Sequence, residues 1–193
     1  MKNLKIYEKA LIVVDMVNGF VRKGVLHDEE IAKTIPKQKE LIEATLKDKG
    51  IVIFIKDTHT KESTEFKRFG NTTHCLKNTK EAELVDELKK YEGKENTISI
   101  EKNSTSFMES PDFRTIVEEL ENLKEIDIVG CCTDICVTNG AIALANYYDQ
   151  KNKEIEIRVV EDAVETYHSE NHDRKTYSDC AKILMKQQGI KLI

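Results

Sequence analysis

The sequence predicts an α/β fold, a three-layer α/β/α sandwich with a central, mostly parallel sheet of five to six strands. Two observations support this fold class. Short apolar runs rich in β-branched residues alternate along the chain with longer segments of helical periodicity, as in successive strand–helix–strand units. The strongest of these runs are apolar almost throughout, which is typical of parallel strands covered on both faces.

The predicted elements alternate in chain order. Four strong apolar runs predict β-strands at 10–15, 51–57, 126–131 and 155–162, and a weaker run predicts one at 97–102. Helical periodicity predicts helices at 31–48, 80–91, 112–123, 137–149 and 172–188. The remaining segments are predicted loops at 58–79 and 103–111, and a candidate sixth strand in the closing GIKLI.

The last predicted helix carries an apolar stripe that is expected to pack on the sheet. Its members are Tyr177, Cys180, Ala181, Leu184 and Met185. Before that helix, His168 and His172 have the four-residue spacing that metal ligands on a helix can use. They stand where a polar loop enters the helix, so both are predicted to be surface residues.

Length, composition and charge restrict the class of protein. The 193 residues are enough for one sizeable core and contain no linker, so one domain spanning 1–193 is expected. The net charge of −5, with scattered Lys and Arg, gives no basic surface for nucleic acid. The first apolar run is too short to span a membrane and lacks a signal-peptide cleavage pattern. A cytoplasmic location is therefore expected.

The stretch VGCCTDICVTNG at 129–140 holds three of the five cysteines. An odd number of cysteines in a cytoplasmic chain argues against a disulfide framework, and no second cysteine pair completes a zinc site. A predicted helix follows, with Thr133 or Asp134 as its cap, so Cys136 would lie in the first turn. Backbone N–H groups there favour a thiolate and could stabilise an oxyanion. Buried apolar roles stay open for all three cysteines.

Two charged residues end predicted strands earlier in the chain. Asp15 ends the run 10–15, directly after its buried apolar residues, and Lys102 ends the run 97–102. Ligands of parallel sheets bind at the carboxyl ends of the strands, where these side chains could meet Cys136. The lysine would keep the carboxylate ionised, and the carboxylate could accept the thiol proton. The alternatives are a turn carboxylate and a solvated surface lysine.

A second polar group follows the strand at 51–57. Asp57 and His59 are two residues apart, so on an extended segment they point to the same side. His74 returns after a loop, and Glu65 within that loop could supply a further oxygen. Such a set leaves coordination positions open, as catalytic divalent-metal sites do. The alternative is an ordinary polar loop.

These residues lie in four stretches that resemble the isochorismatase-like cysteine hydrolases, and among those the nicotinamidases most. The stretches are LIVVDMVNGF, DTHTKESTEF followed by THC, EKNSTSF and GCCTDICVTNGAIAL. They stand in the family's order and cover nearly the whole chain. As a set, the strand-ending Asp, the Lys in its K-x-x-x-x-F context and the T-D-x-C-V cysteine are specific to the family.

The resemblance implies a role for each candidate residue. The implied catalytic triad is Asp15, Lys102 and Cys136. The implied metal ligands are Asp57, His59 and His74, with Glu65 as an accessory ligand of some members. The implied oxyanion hole consists of the N–H groups of Cys132 and Cys136, after a cis peptide bond between Cys131 and Cys132. The implied substrate contacts are Phe20 and Cys132.

The reaction implied by the resemblance is deamidation of nicotinamide to nicotinic acid and ammonia through a cysteine thioester, in pyridine nucleotide salvage. Zn²⁺ is the first choice of metal, with Fe²⁺ or Mn²⁺ as alternatives. The alternative reaction is hydrolysis of another small amide or ureido substrate by the same triad. Family members are commonly oligomers, so a homo-oligomer acting on a small-molecule amide is expected, without nucleic-acid or membrane partners.

The sequence departs from the family pattern around the expected substrate pocket. The family's first motif often reads D-M-Q-x-D-F, whereas Val17 and Gly19 stand at the two polar places here. The chain also has no Trp, so the aromatic wall that Trp often provides has to come from Phe or be missing. The candidates for that wall are Phe20, Phe66, Phe69 and Phe107.

Overall fold

The structure is a computed structural model that describes residues 3–193. Its strands are β1 (Lys9–Val14), β2 (Ile51–Asp57), β3 (Thr97–Lys102), β4 (Glu125–Cys131), β5 (Glu156–Glu165) and β6 (Lys191–Leu192). They form one sheet in the order β3-β2-β1-β4-β5-β6, and every neighbouring pair is parallel. All five predicted strands and the candidate sixth are confirmed. The strand order reverses direction between β1 and β4, which opens a crevice at their carboxyl ends.

The helices lie between the strands and vary greatly in length. The α-helices are α1 (Asn18–Val21), α2 (Ile35–Lys47), α3 (Glu65–Arg68), α4 (Asp86–Lys89), α5 (Pro111–Glu119), α6 (Thr138–Gln150) and α7 (Arg174–Gln187). Short 3₁₀ helices occupy Leu4–Ile6, Ile31–Thr34, Lys80–Ala82 and Phe107–Glu109, and a single π turn spans Thr133–Val137. Among residues 3–193, none of these helices combines the length and the apolar character needed to cross a membrane.

The sheet is buried on both faces, as the fold class requires. Along β1, Ala10, Ile12 and Val14 belong to one apolar cluster, and Leu11 and Val13 belong to the other. Helices α5, α6 and α7 bury side chains in the first cluster, and α2 buries side chains in the second. This arrangement confirms the predicted α/β/α sandwich.

The predicted helix at 80–91 is wrong. A 3₁₀ turn and α4 are separated there by an extended segment, because its backbone bonds to the chain after β1 rather than within a helix. Val85 N–H donates to the Met16 carbonyl at 3.0 Å, and Asn18 N–H donates to the Glu83 carbonyl at 2.9 Å. The side chain of Asn18 also donates to the carbonyl of Glu83 at 3.1 Å. These contacts hold the start of α1 beside the site.

Two further predictions need correction. The predicted loop 58–79 contains α3, one helical turn. On α7, Ala181 and Met185 are buried, but Leu184 and Tyr177 are 51% and 42% exposed, and Cys180 is exposed too. The buried stripe is narrower than predicted, because α7 packs mainly against the π turn, α6 and β6, which leaves its other side chains to solvent.

Candidate active site

Three of the predicted site residues meet at the carboxyl ends of three different strands. Asp15 follows β1, Lys102 ends β3, and Cys136 lies in the π turn after β4. Lys102 Nζ is 2.9 Å from Asp15 Oδ2 and 3.6 Å from Cys136 Sγ. The three side chains are buried, with exposed fractions of 7% or less. We call this group the triad cluster.

The backbone around Asp15 turns its carboxylate into the crevice. Asp15 has a φ of +52°, a left-handed conformation that aspartate tolerates better than most residues. Its carbonyl accepts a hydrogen bond from the Cys131 thiol at 3.2 Å, which ties β1 to β4. Beside this contact, Gly130 has a φ of +117°, and a Cβ there would lie 2.0 Å from the Val14 carbonyl oxygen. The close approach of the two strands therefore requires glycine at 130.

The turn that carries Cys136 begins with a cis peptide bond between Cys131 and Cys132, as the resemblance implies. The N–H groups of Ile135 and Val137 both donate to the Cys132 carbonyl at 3.1 Å. The turn thus starts at Cys132, so the expectation that Thr133 or Asp134 caps the helix is wrong.

The Asp134 side chain has other partners. Its Oδ1 accepts from Thr166 Oγ1 at 2.5 Å, and its Oδ2 lies 2.9 Å from His172 Nε2. His172 is only 6% exposed, which corrects its prediction as a surface residue, whereas His168 is exposed as expected. The correction follows from this hydrogen-bond contact and from the tyrosine rings on both sides of the imidazole.

Burial and mutual charge set the protonation of the triad cluster. Burial raises the pKa of Asp15 to about 6, although Lys102 and the Cys136 thiol both favour the ionised carboxylate. Burial also raises the pKa of Cys136 well above its usual range, and Lys102 only partly opposes this. Burial alone would lower the pKa of Lys102, but Asp15 and Asp57 raise it well above its usual value. The arrangement favours a neutral thiol next to a base that exchanges protons near neutral pH, rather than the preformed thiolate that a helix start would favour.

The predicted metal ligands also come together. Asp57 ends β2, His59 follows it, Glu65 begins α3, and His74 returns beside them. One nitrogen or oxygen atom from each of the four residues can be chosen so that all lie within 4.8 Å of one another. Asp57 Oδ2 is 2.8 Å from His59 Nε2 and 3.4 Å from His74 Nε2. We call this group the donor cluster.

The histidines of the donor cluster are held with Nε2 towards its centre. His59 Nδ1 lies 2.6 Å from Asn103 Oδ1 and 3.1 Å from Ser63 Oγ. His74 Nδ1 lies 2.9 Å from the Thr72 carbonyl, which can only accept a hydrogen bond. Contacts of this kind orient imidazoles that bind metals. Two imidazoles and two carboxylates fit Zn²⁺, Fe²⁺ or Mn²⁺, so the residues present suit a divalent ion.

Asp57 joins the two clusters. Its Oδ1 accepts a hydrogen bond from Lys102 Nζ at 2.7 Å, while its Oδ2 faces the two imidazoles. Burial alone would raise the pKa of Asp57, but Lys102 and the histidines lower it well below its usual range. The carboxylate therefore stays ionised and is shared between a buried cation and the donor cluster.

One pocket is lined by residues of both clusters. Cys136 and Cys132 contribute from the π turn, and Asp57, Glu65 and His74 contribute from the donor cluster. The rest of its lining consists of Phe20, Leu26, Phe69, Thr105, Ile135 and Tyr167. A small ligand in this pocket would contact the thiol and the donor cluster at once.

The aromatic wall differs from the expected set. Phe20 and Phe69 line the pocket, as two of the candidates were predicted to do. Phe66 packs against His59 and His74, with ring centroids 5.0 and 5.3 Å apart. Phe107 lies in the core against Gly140 and Phe113, where it cannot form the wall.

Sequence reasoning missed Tyr167. It lies two residues after β5, so the rule that drew attention to Asp15 and Lys102, polar groups just beyond a strand, could have found it. Sequence reasoning also missed Asn103, which follows β3 directly and contacts His59. Both residues support or line the pocket rather than supplying the reacting groups.

Comparisons with known proteins show what the chain is similar to. Nicotinamidase 1 of Arabidopsis thaliana is 31% identical over 139 residues, which cover 66% of this chain and 56% of that longer protein. The crystal structure of pyrazinamidase of Pyrococcus horikoshii in complex with zinc has a TM-score of 0.77 and 28% identity. That alignment covers 96% of this chain and 98% of the pyrazinamidase.

A second solved structure of similar fold is that of a different amidase. N-carbamoylsarcosine amidase of Thermoplasma acidophilum has a TM-score of 0.73 and 27% identity, over 96% of this chain and 95% of that protein. Residues 9–178, most of the chain, match the sequence profile of the Isochorismatase domain. The chain therefore belongs to the isochorismatase family.

Proposed function

We propose that the chain, as one domain over residues 1–193, hydrolyses nicotinamide to nicotinic acid and ammonia through a thioester on Cys136. The observation that carries the proposal is the shared pocket: the thiol of the triad cluster and three residues of the donor cluster line the same cavity. A heteroaromatic amide has two matching groups, a carbonyl for the thiol and a ring nitrogen for a metal. The similarity to a nicotinamidase and a pyrazinamidase supports this substrate class.

In the first half of the reaction, Asp15 takes the proton of the Cys136 thiol while Sγ attacks the amide carbonyl. A C–S bond forms, and the oxyanion is stabilised by the N–H groups of Cys132 and Cys136. When this intermediate collapses, the C–N bond breaks and Asp15 returns the proton to the leaving group, which departs as ammonia. Lys102, 2.9 Å from Asp15, keeps that carboxylate ionised between proton transfers.

In the second half, Asp15 deprotonates a water molecule, which attacks the thioester carbonyl. The C–S bond breaks, the acid product leaves, and the proton held by Asp15 returns to the Cys136 sulfur. One carboxylate thus acts as base, acid, base and acid again, which suits a group whose pKa is raised by burial to about 6.

The donor cluster would hold the metal, with Zn²⁺ as the first choice and Fe²⁺ or Mn²⁺ as alternatives. When bound, such an ion supplies a Lewis acid that orients the ring nitrogen and draws electron density from the ring. The residues of this chain do the rest: His59, His74 and Asp57 hold one end of the site, and Phe20 and Phe69 contact the ring. Under this proposal the enzyme works in the cytoplasm and supplies pyridine nucleotide salvage.

A second candidate is hydrolysis of a ureido substrate by the same triad. The similarity to N-carbamoylsarcosine amidase favours it almost as strongly as the pyrazinamidase favours nicotinamide. The donor cluster favours nicotinamide, because a ureido group offers no ring nitrogen for a metal on Asp57, His59 and His74.

The experiment that tests the proposal measures ammonia release from nicotinamide by the zinc-loaded protein. Cys136→Ala is expected to abolish release, and prior removal of the metal with a chelator is expected to reduce it strongly. Cys180→Ala, which replaces an exposed cysteine, serves as the matched control and should behave like the original protein.

Two results would contradict the proposal in different ways. Ammonia release by Cys136→Ala at the original rate would overturn the assignment of Cys136 as the nucleophile. Absence of release by the zinc-loaded original protein would overturn nicotinamide as the substrate. In that case N-carbamoylsarcosine is the next amide to assay, and its hydrolysis would select the second candidate.

A further inference from the structure

A histidine lies between two tyrosine rings directly behind the pocket. The imidazole of His172 stacks on Tyr167, with ring centroids 3.9 Å apart and planes inclined by 10°. On its other side it stacks on Tyr177, at 3.8 Å and 28°. We call these three residues the tyrosine–histidine stack. Of the three residues, only Tyr167 lines the pocket. The stack therefore has one end, Tyr167, at the pocket and the other, Tyr177, at the protein surface.

Hydrogen bonds fix the middle ring of the stack. His172 Nδ1 lies 3.0 Å from the backbone oxygen of Tyr167, and Nε2 lies 2.9 Å from Asp134 Oδ2. Both ring nitrogens therefore face oxygen atoms, and the imidazole cannot rotate without losing one of these contacts. Asp134 belongs to the π turn of Cys136, so the stack is attached to the element that carries the thiol.

The chain directly before Tyr167 is held in place as well. The preceding residue, Thr166, is fully buried and donates its hydroxyl proton to Asp134 at 2.5 Å. Its carbonyl accepts from Arg174 Nε at 2.8 Å. The backbone at 166–167 and one face of the Tyr167 ring are thus fixed before any ligand enters. The ring surface turned away from His172 is what remains for a ligand.

We infer that Tyr167 is a specificity-determining wall of the pocket and that His172 is the positioning residue that holds it. The pocket is thereby expected to prefer a flat aromatic acyl group over a puckered ring of the same size. This inference rests on the proposed function for the nature of the substrate. Tyr167 adds an aromatic surface to the pocket beside those of Phe20 and Phe69, and it comes from a different segment, the one after β5.

The preference follows from how aromatic rings interact. A ring held in a fixed plane stacks well on another flat ring, and such contacts favour binding by about 0.5–1.5 kcal/mol, or about 2- to 10-fold. A puckered ring with the same number of carbons has at least as much apolar area but cannot lie flat against the tyrosine. A tyrosine free to rotate would lose part of this discrimination, since ordering it would oppose binding.

The first test measures affinities for benzamide and cyclohexanecarboxamide, a flat and a puckered amide of nearly equal size. Calorimetry on the zinc-loaded Cys136→Ala protein gives both constants without turnover, so the result does not depend on whether nicotinamide is hydrolysed. The protein is expected to bind benzamide about 2- to 10-fold more tightly. Tyr167→Leu, added to this background, should remove the preference. Equal affinities for benzamide and cyclohexanecarboxamide in the protein that retains Tyr167 would overturn the role of Tyr167 in specificity.

The second test distinguishes the effect of ring stacking by His172 from the effect of its hydrogen bonds. His172→Gln can still contact Asp134 but has no ring, whereas His172→Phe keeps a ring and loses both hydrogen bonds. If His172 positions Tyr167 by stacking, the first variant loses the preference for benzamide and the second retains it. Tyr177→Leu is the matched control, because Tyr177 stacks on the same imidazole but does not line the pocket. It should retain the preference.

A third measurement distinguishes positioning from a general structural effect. With Cys136 present, the rate of its alkylation by iodoacetamide should be the same in His172→Gln and the original protein, because this small reagent does not need the wall. Nicotinamide KM should rise about 2- to 10-fold with little change in kcat. Slower alkylation together with a fall in kcat would show that His172 supports the π turn, and would overturn the assignment to Tyr167. An unchanged benzamide preference in His172→Gln would overturn it too.

Discussion

The triad cluster and the donor cluster share one pocket, but the chain builds them differently. Asp15 and Lys102 lie at the ends of two strands and Cys136 lies in the π turn that follows a third, so the parallel sheet sets their spacing. In the donor cluster only Asp57 ends a strand. His59, Glu65 and His74 belong to the segment 58–79, whose only α-helix is the one-turn α3.

This difference has consequences for the free energy of unfolding and for ligand binding. The triad cluster is an internal group of charges, because Lys102 is 3% exposed and lies between two buried carboxylates. In the donor cluster, Asp57, His59 and His74 are equally buried, but three of its four residues come from a loop rather than from strand ends. We therefore expect the triad cluster to matter for stability as well as for chemistry. The donor cluster should matter mainly for binding.

The largest effect is expected from Lys102→Met. It removes the cation that two buried carboxylates share, so the free energy of unfolding should fall by about 3–5 kcal/mol. Turnover should fall by about 10³-fold or more, as for other residues that act with a nucleophile as a unit. Chemical denaturation and an ammonia-release assay measure the two effects.

The matched control for this change is Lys77→Met. Lys77 pairs with Glu101 at 2.6 Å, but both side chains are about half exposed, so the loss should be about 0–1 kcal/mol. If Lys102→Met destabilised the protein no more than Lys77→Met does, the triad cluster would not be the stability determinant that its burial indicates.

A smaller and different effect is expected at the donor cluster from Asn103→Ala. The change removes the oxygen 2.6 Å from His59 Nδ1 and leaves only the longer contact with Ser63 Oγ, at 3.1 Å, to orient the imidazole. Affinity for Zn²⁺ should fall about 10- to 100-fold, as is typical when a partner of a metal-binding histidine is lost. Competition with a chromophoric chelator measures this affinity, and metal-free unfolding should change little.

Ser104→Ala is a suitable control for Asn103→Ala. Its hydroxyl donates to the Ser106 carbonyl at 3.0 Å, so the substitution alters the same loop without touching the donor cluster. Zinc affinity equal to that of Ser104→Ala would mean that Asn103 does not orient His59. A large loss of metal-free stability would mean that the donor cluster, like the triad cluster, is part of the folding core.

The same contrast explains how much of the fold and of the site could be predicted from the sequence. Asp15 and Lys102 were predictable because a strand ends next to each, and strand ends are visible as the limits of apolar runs. The segment 80–91 was not predictable as two short turns, because its extended part bonds to residues 16–18, far away in the sequence. Periodicity reports only local packing, so it cannot detect such a partner.

The contacts of the stack were hidden for a related reason. His172 is buried because Tyr167, Tyr177 and Asp134 surround it, and both His172 and Tyr167 lie in the polar stretch between β5 and α7. A polar stretch predicts exposure unless its fold is known. The Phe107 ring was misplaced in the expected wall because Gly140 leaves room for it in the core, and that pairing appears only in three dimensions.

The smallest effect is a pH dependence that separates chemistry from stability within the triad cluster. The pKa of Asp15 is raised by burial to about 6, whereas an unfolded aspartate has a pKa of about 4. Asp15 must be ionised to accept the thiol proton, so kcat/KM for nicotinamide should fall about tenfold per pH unit below pH 6. The contribution of Asp15 to stability has the opposite sign. Because the folded state binds this proton more tightly, the contribution is fully present below pH 4 and is lost as pH rises through 6.

Both halves of this prediction are measurable on one preparation held at saturating zinc. The pH profile of kcat/KM reports the ionised carboxylate, and denaturation at several pH values reports the proton bound on folding. Asp15→Asn removes the titrating group, so the slope of unfolding free energy between pH 4 and 6 should become more positive than in the original protein. A kcat/KM that stays constant down to pH 5 would show that a different base serves Cys136. An unchanged slope in Asp15→Asn would show that the triad cluster does not couple the proton of Asp15 to folding.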